Sequence, residues 1–300
     1  MNRNESIFIH PGFPKCGSTF LQNNIFSIHP QVDYIGPESW DNRGFNSMFM
    51  NVKTADYNPD AVRALFSSAG KTRILSVETL LGDPYLNPMA GEVYAKRLKD
   101  TFPHAKILLF IRSQPEALES LILQWVKTGW TGRMGVTDFF KPKKFYTDIL
   151  QFDLSYFKYS QTIKLYQTYF GKENVKVFLF ENFIKDVEGV VNQVLDFMGL
   201  EMPEMIDKAP VKRGMTLAGY LFMGVVNRYR TGKYNLKGGI LDIIPWLYIV
   251  RMRNVLDNMA RLSGLFPKYS WLKNDFRNQI KEYYREDNIM TKELTLYDLD

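Results

Sequence analysis

The chain carries two rhythms of apolar and polar positions. Short, nearly unbroken apolar runs fall near residues 6–10, 32–35, 73–77, 106–111 and 174–180, each bounded by turn-forming or charged residues. Runs of this length predict strands buried on both faces, as in a parallel sheet. Between them, apolar residues recur at three- and four-residue spacing near 18–28, 59–69, 88–101, 115–128, 152–170 and 184–198, which predicts amphipathic helices. The alternation gives an α/β fold, a parallel sheet flanked by helices. Ligands of such sheets bind at the carboxyl ends of the strands. The loops after 6–10, 73–77 and 106–111 therefore converge on one crevice. After about residue 215 the strand signal stops, and helices are predicted at 216–229, 252–263 and 272–287, with a Gly-rich break from Gly232 to Gly239. This reading gives one main domain over 1–215 and a helical cap or tail over 216–300 packed on it. There is no internal repeat and no low-complexity tract.

The first predicted strand enters Gly12-Phe13-Pro14-Lys15-Cys16-Gly17-Ser18-Thr19. This is nearly the Walker A pattern, in which a lysine directly follows the second glycine. Here Ser18 takes that place and the lysine stands two residues before Gly17. Successive backbone N–H groups at a helix start still form an anion site, so the loop is expected to cradle a phosphate group. The displaced lysine argues against a nucleoside triphosphate bound with magnesium in the usual way.

The strand 106–111 supports this. In many P-loop ATPases the comparable strand ends in an Asp that helps hold magnesium. This one ends in Arg112, which cannot hold a cation but whose planar fork suits a phosphate monoester. Ser113-Gln114-Pro115-Glu116 then reads as a helix start, and Ser120, eight residues after Arg112, lies early on that helix. The expected ligand has two separate phosphate-bearing ends and requires no metal. Glu78 stands at the carboxyl end of 73–77 and faces the crevice as a candidate general base, its pKa raised if shielded from water. His10, at the end of the first strand, is the rival base; a structural hydrogen bond is its other reading. Arg112 has a rival reading too, pairing with Glu116 or Glu119.

At these residues the chain resembles the sulfotransferases that use 3′-phosphoadenosine-5′-phosphosulfate (PAPS). Pro14-Lys15-Cys16-Gly17-Ser18-Thr19-Phe20-Leu21-Gln22 is similar to their 5′-phosphosulfate loop, and Arg112 through Ser120 to their 3′-phosphate motif. Lys212-Arg213-Gly214 resembles the basic loop that closes over the nucleotide, and 174–200 the family's strand-then-helix unit. The likeness runs over about 6–220 in the correct order. It departs at Cys16, where a small or hydroxyl residue is common, and at Phe20, where cytosolic members often have Trp.

The resemblance implies a PAPS-binding domain over 1–215, with Pro14, Lys15, Cys16, Gly17, Ser18, Thr19, Phe20, Arg112, Ser120, Lys212, Arg213 and Gly214 at the nucleotide. It implies PAPS as co-substrate, adenosine 3′,5′-bisphosphate (PAP) as product, no metal, and Lys15 and Glu78 as the catalytic pair. Glycan sulfotransferases often carry a glutamate at a comparable strand end, so the implied acceptor is a hydroxyl on a carbohydrate or glycolipid. A nucleotide kinase or other phosphotransferase, and a non-enzymatic nucleotide- or nucleic-acid-binding protein, stand as alternatives. Against them are the displaced lysine, Arg112 in place of a metal-binding Asp, and the joint presence of Glu78 and Lys15.

Composition narrows the picture a little further. A net charge of +6 suits an anionic ligand, but no long single-sign run favours nucleic acid. The single cysteine excludes an intramolecular disulfide, and the three scattered histidines have no metal-ligand spacing. No signal-peptide pattern precedes the first strand, which leads to the expectation of a cytoplasmic protein. Trp125, Trp130, Phe139 and Phe140, with Lys127, Arg133, Lys141, Lys143 and Lys144 among them, either line an acceptor site or split into core and solvated surface. The apolar run 239–250 is too short to span a membrane, which needs ~20 residues. For 240–253 two readings stay open: peripheral contact with a membrane or lipid-linked acceptor, and burial against the main domain or a subunit partner.

Overall fold

The computed structural model describes residues 7–37, 44–66, 70–83, 90–129, 154–203, 215–231, 239–263 and 274–299. Five strands, β1 (Ile7–Pro11), β2 (Val32–Ile35), β3 (Thr72–Val77), β4 (Lys106–Ile111) and β5 (Val175–Leu179), form one sheet in the order β2-β3-β1-β4-β5. Every pairing is parallel. The expected α/β class is therefore the observed one. Strand bounds match the apolar runs to within a residue, because β1 and β4 bury almost every side chain on both faces.

The helices are α1 (Ser18–Leu21), continued by a wider turn over Gln22–Phe26, then α2 (Pro59–Arg63), α3 (Ala90–Thr101), α4 (Gln114–Thr128), α5 (Tyr159–Phe170), α6 (Phe180–Lys185), α7 (Val187–Met198), α8 (Leu217–Tyr229), α9 (Trp246–Ser263) and α10 (Asn274–Thr295). Two predicted helices are broken. The one expected over 152–170 becomes a short turn at Leu154–Phe157 and then α5, with Lys158 off the helical backbone between them. The one expected over 184–198 starts earlier and breaks at Asp186, whose carboxylate caps α7 by accepting from the Gly189 N–H at 2.8 Å.

The sheet order places β1 between β3 and β4, with β2 and β3 on one side and β4 and β5 on the other. The segment leaving β1 thus lies where the chain direction across the sheet reverses, the place where open α/β sheets hold ligands. The chain divides into two compact units. The first comprises residues 1–114, 152–208 and 281–300; the second comprises 115–151 and 209–280. In the first, the C-terminal part of α10 is held by buried polar contacts. Ser160 Oγ donates to Asp287 Oδ1 at 2.5 Å, and Gln114 Nε2 donates to Asn288 Oδ1 at 2.7 Å. In the second, Val126, Met223, Val226 and Ile249 form a small core. Asp257 accepts from both the N–H and the hydroxyl of Thr216 at the start of α8, at 2.8 and 2.6 Å.

Candidate active site

The phosphate loop runs from the end of β1 into α1, and its shape depends on two glycines. Gly17 is the N-cap of α1 with φ +93, a backbone region that glycine enters without the steric penalty of a Cβ. No side chain caps this helix start. The Phe20 N–H is taken by the Gly17 carbonyl, and the first N–H groups of a helix, which have no acceptor one turn back, are the ones suited to an anion. Gly12 sits directly against Glu78: a Cβ there would lie 3.3 Å from Glu78 Cγ and 3.6 Å from Ser18 Cβ. A side chain there would press on Glu78, which would have to give by a few tenths of an ångström. Lys15, between the glycines, also has positive φ, at 69.

Three strand ends meet here, as the parallel topology requires. Glu78 follows Val77, which pairs with Pro11 at the mouth of the loop. Ser18 Oγ donates a hydrogen bond to Glu78 Oε1. Loss of water around the carboxyl pushes the Glu78 pKa up, and the Ser18 hydrogen bond and the nearby Lys15 charge pull it partly back. This is the electrostatic setting expected of a base that holds its proton near neutral pH more readily than a solvated carboxylate.

Arg112 reaches the loop from the end of β4. Its Nη1 donates to the Lys15 carbonyl at 3.0 Å, and its guanidinium lies 4.6 Å from the centre of the Phe180 ring. Glu181 Oε1 is 4.0 Å from its Nε and accepts from the Ser113 N–H at 3.2 Å. The backbone carbonyl of Arg112 accepts from the Tyr159 hydroxyl at 2.7 Å. Burial holds the Tyr159 phenol well above its ordinary pKa, so it remains a donor. Glu116 and Glu119, the rival partners for Arg112, pair instead with Arg277 in the second unit.

Beneath the loop, His10 Nδ1 lies 2.7 Å from Ser76 Oγ, and Gln22 Nε2 donates to Ser76 Oγ at 3.0 Å and to Ser76 O at 3.3 Å. This knot ties β1, β3 and the helix after the loop together. His10 is only 1% exposed, and its ring meets Phe26 and Phe110 edge-on. Burial lowers its pKa from 6.5 to about 4. Its structural role is the one the geometry favours. The folded chain resists protonation here while the unfolded chain does not. The His10 contribution to stability is therefore complete above pH 6.5 and lost as pH falls toward 4, by about 3 kcal/mol. Urea unfolding of wild type and His10→Asn across that window should show this extra loss in wild type alone; equal pH slopes would contradict it.

Of the other expected site residues, Cys16 is buried. Its pKa is raised, and its thiol donates weakly to the Pro14 carbonyl at 3.7 Å, so it is no nucleophile. Thr19 is exposed, and Phe20 packs edge-on against Phe183, with ring centres 5.3 Å apart. Ser120 is half-buried on α4 and belongs to the second unit, as does Trp125, which is buried. Lys212, Arg213 and Gly214 lie outside the described residues, as do Trp130, Arg133, Phe139, Phe140, Lys141, Lys143 and Lys144. Among the described residues no helix is long and apolar enough to cross a membrane. The sequence reading gave no role to Gln22, Tyr159 or Glu181. Glu181 had a signal, since it stands two residues past the end of β5, much as Glu78 stands one residue past the end of β3.

A family model described as the sulfotransferase domain matches residues 5–212, more than half of the chain. The chain belongs to the sulfotransferase family. Several solved structures are similar to the chain at low identity. A sulfotransferase from Alicyclobacillus acidocaldarius is 21% identical with a TM-score of 0.49, covering 71% of this chain and 87% of its own. The mouse sulfotransferase SULT7A1, solved with PAP, is 11% identical with a TM-score of 0.45, covering 96% and 86%. Retinol dehydratase, solved with retinol and PAP, is 12% identical with a TM-score of 0.38, covering 98% and 82%. No curated protein matches the chain.

Proposed function

We propose that this sulfotransferase transfers the sulfuryl group of PAPS to a carbohydrate hydroxyl, free or in a glycolipid, with Glu78 as general base and Lys15 as the cation at the leaving group. One observation carries the reading: a desolvated carboxylate at the end of β3 is held against the phosphate loop by Ser18. The loop fits a phosphosulfate. Gly12 leaves room where a Cβ would crowd Glu78, and the start of α1 at Gly17 has no side-chain cap competing for its N–H groups. Arg112, whose backbone carbonyl accepts from Tyr159 and whose guanidinium is held by the Lys15 carbonyl and the Phe180 ring, carries a fork suited to the second, 3′-phosphate end.

In this scheme PAPS, when bound, supplies the sulfuryl group and a bisphosphate leaving group. Glu78 accepts the proton of the acceptor hydroxyl as the new sulfur–oxygen bond forms. Lys15 offsets the negative charge that develops as the old sulfur–oxygen bond to the phosphate breaks. The carbohydrate acceptor rests on the glutamate base, which glycan sulfotransferases often place at a comparable strand end. His10 is closed off in the core and offers no competing base.

PAP should raise the unfolding temperature of the protein without added metal. At a hundredfold excess over its dissociation constant the gain is about 2.7 kcal/mol. AMP, which lacks the 3′-phosphate, should give much less, and Arg112→Ala should weaken PAP binding by about 2–3 kcal/mol. Equal stabilisation by AMP, or a strict need for magnesium, would remove the nucleotide from the proposal. An acceptor screen with labelled PAPS over sugars, glycolipids and small alcohols tests the acceptor class.

A further inference from the structure

The net charge of this chain is concentrated in one stretch of sequence. Residues 215–263 contain seven Lys or Arg and two Asp, a net charge of +5 out of +6 for the whole protein. The same stretch contains α8 and α9, and α9 has two apolar faces. One is buried: Ile249 packs into the core of the second unit, and the Arg253–Asp257 pair lies beside it. The other is exposed. Tyr248, Met252, Val255, Met259 and Leu262 follow one another at spacings of four, three, four and three residues, which aligns them in a single stripe on the opposite side of the helix. Leu262 is 89% exposed, and Ile243, in the turn just before α9, is 87% exposed. Arg251 is exposed on the flank of the stripe, and Asp257, the only acid on α9, is buried against Thr216. α8 has no acidic residue and carries the exposed Arg228.

We propose that the α9 face lies in the surface of a membrane containing anionic lipid, with its apolar stripe in the acyl boundary and the surrounding arginines at the headgroups. An amphipathic helix that is basic on its polar side and too polar to cross the bilayer is suited to this in-plane position. Anionic headgroups supply the charge that the segment lacks, at about 1 kcal/mol per Lys or Arg held near the surface. A second copy of the chain is disfavoured by the same charge. A two-fold interface sets a patch against itself, and exposed cations such as Arg251 on the flank of the stripe would meet their own copies, with Asp257, the one acid of α9, buried. Lipid tails also conform to any apolar outline, so the stripe needs no shaped groove in a partner.

The full-length protein should co-sediment with vesicles of phosphatidylcholine and phosphatidylglycerol at low salt, and bind vesicles of phosphatidylcholine alone much more weakly. The triple variant Met252→Gln, Val255→Gln, Met259→Gln changes only exposed helical positions and should lower partitioning by more than about tenfold. Arg228→Gln with Arg251→Gln should weaken binding to the anionic vesicles and leave the weak binding to neutral ones unchanged. Thermal unfolding of each variant confirms that it is folded. The proposal is overturned if wild type ignores both kinds of vesicle, or if the triple variant binds them as wild type does. It is also overturned if the triple variant turns a wild-type dimer into a monomer by sedimentation while vesicle binding is absent. None of these outcomes depends on the assignment of Glu78 or of PAPS.

Discussion

Glu78→Gln is expected to lower kcat by about 10²–10⁴-fold, the usual range for loss of a general base. The substitution keeps the size of the side chain and a carbonyl oxygen that can still accept from Ser18, so the loop against the end of β3 should remain as it is. What it removes is the ability to take a proton. PAP affinity should therefore change little, and the loss should fall on kcat rather than on nucleotide binding. The wild-type rate should also decline as pH drops through the raised pKa of Glu78, and the variant should lack that limb. Stability moves in the opposite direction. A carboxyl whose folded pKa is raised costs the native state free energy while it is ionised, and the cost is relieved as pH falls toward the ordinary carboxyl range. Glu78→Gln should therefore be at least as stable as wild type at neutral pH, and the difference should shrink on acidification. A folded variant with wild-type turnover would show that Glu78 is not the base.

The parts of this site that the sequence made legible are those set by backbone topology. Parallel apolar runs dictate that β1, β3 and β4 end on the same edge, so the Gly12–Thr19 loop, Glu78 and Arg112 converge without any knowledge of side-chain packing. The loop itself was legible because its glycines answer to local geometry: Gly17 needs positive φ, and Gly12 needs room beside Glu78. The supporting contacts were not legible in the same way. Tyr159 reaches Arg112 from α5 and Glu181 reaches it from α6, and pairings across 47 and 69 positions of sequence leave no periodic trace.

Helix limits were weakest where a capping residue overrides an amphipathic pattern. Asp186 divides one predicted helix because its carboxylate satisfies the start of α7. The helix expected over 252–263 starts earlier than its polar spacing suggests: Pro245 ends the preceding turn, and the helix begins at Trp246, six residues before 252. Only with that boundary in place do Tyr248 through Leu262 form one stripe.

Lys15 allows charge and scaffold to be separated by two substitutions at one position. With φ at 69 it occupies the left-handed region, where a side chain costs roughly 1–2 kcal/mol and glycine costs little. Lys15→Ala removes the ammonium and keeps the backbone cost; Lys15→Gly removes both. The loop backbone is fixed independently by the Arg112 hydrogen bond to the Lys15 carbonyl, which either substitution retains. Lys15→Gly is therefore expected to be as stable as wild type or more so, and Lys15→Ala somewhat less stable than Lys15→Gly. Both should lose turnover to a similar extent, about 10²–10³-fold, as when one electrostatic stabiliser of a developing anion is removed. The loss should appear in kcat, because the charge matters most once the leaving group has begun to depart. PAP affinity, measured by calorimetry, should fall by much less than kcat. If both variants instead raise the KM for PAPS and leave kcat intact, Lys15 binds the nucleotide and does not act on the leaving group. If Lys15→Gly recovers turnover that Lys15→Ala has lost, the loop conformation, and not the ammonium, is what the reaction requires of this position.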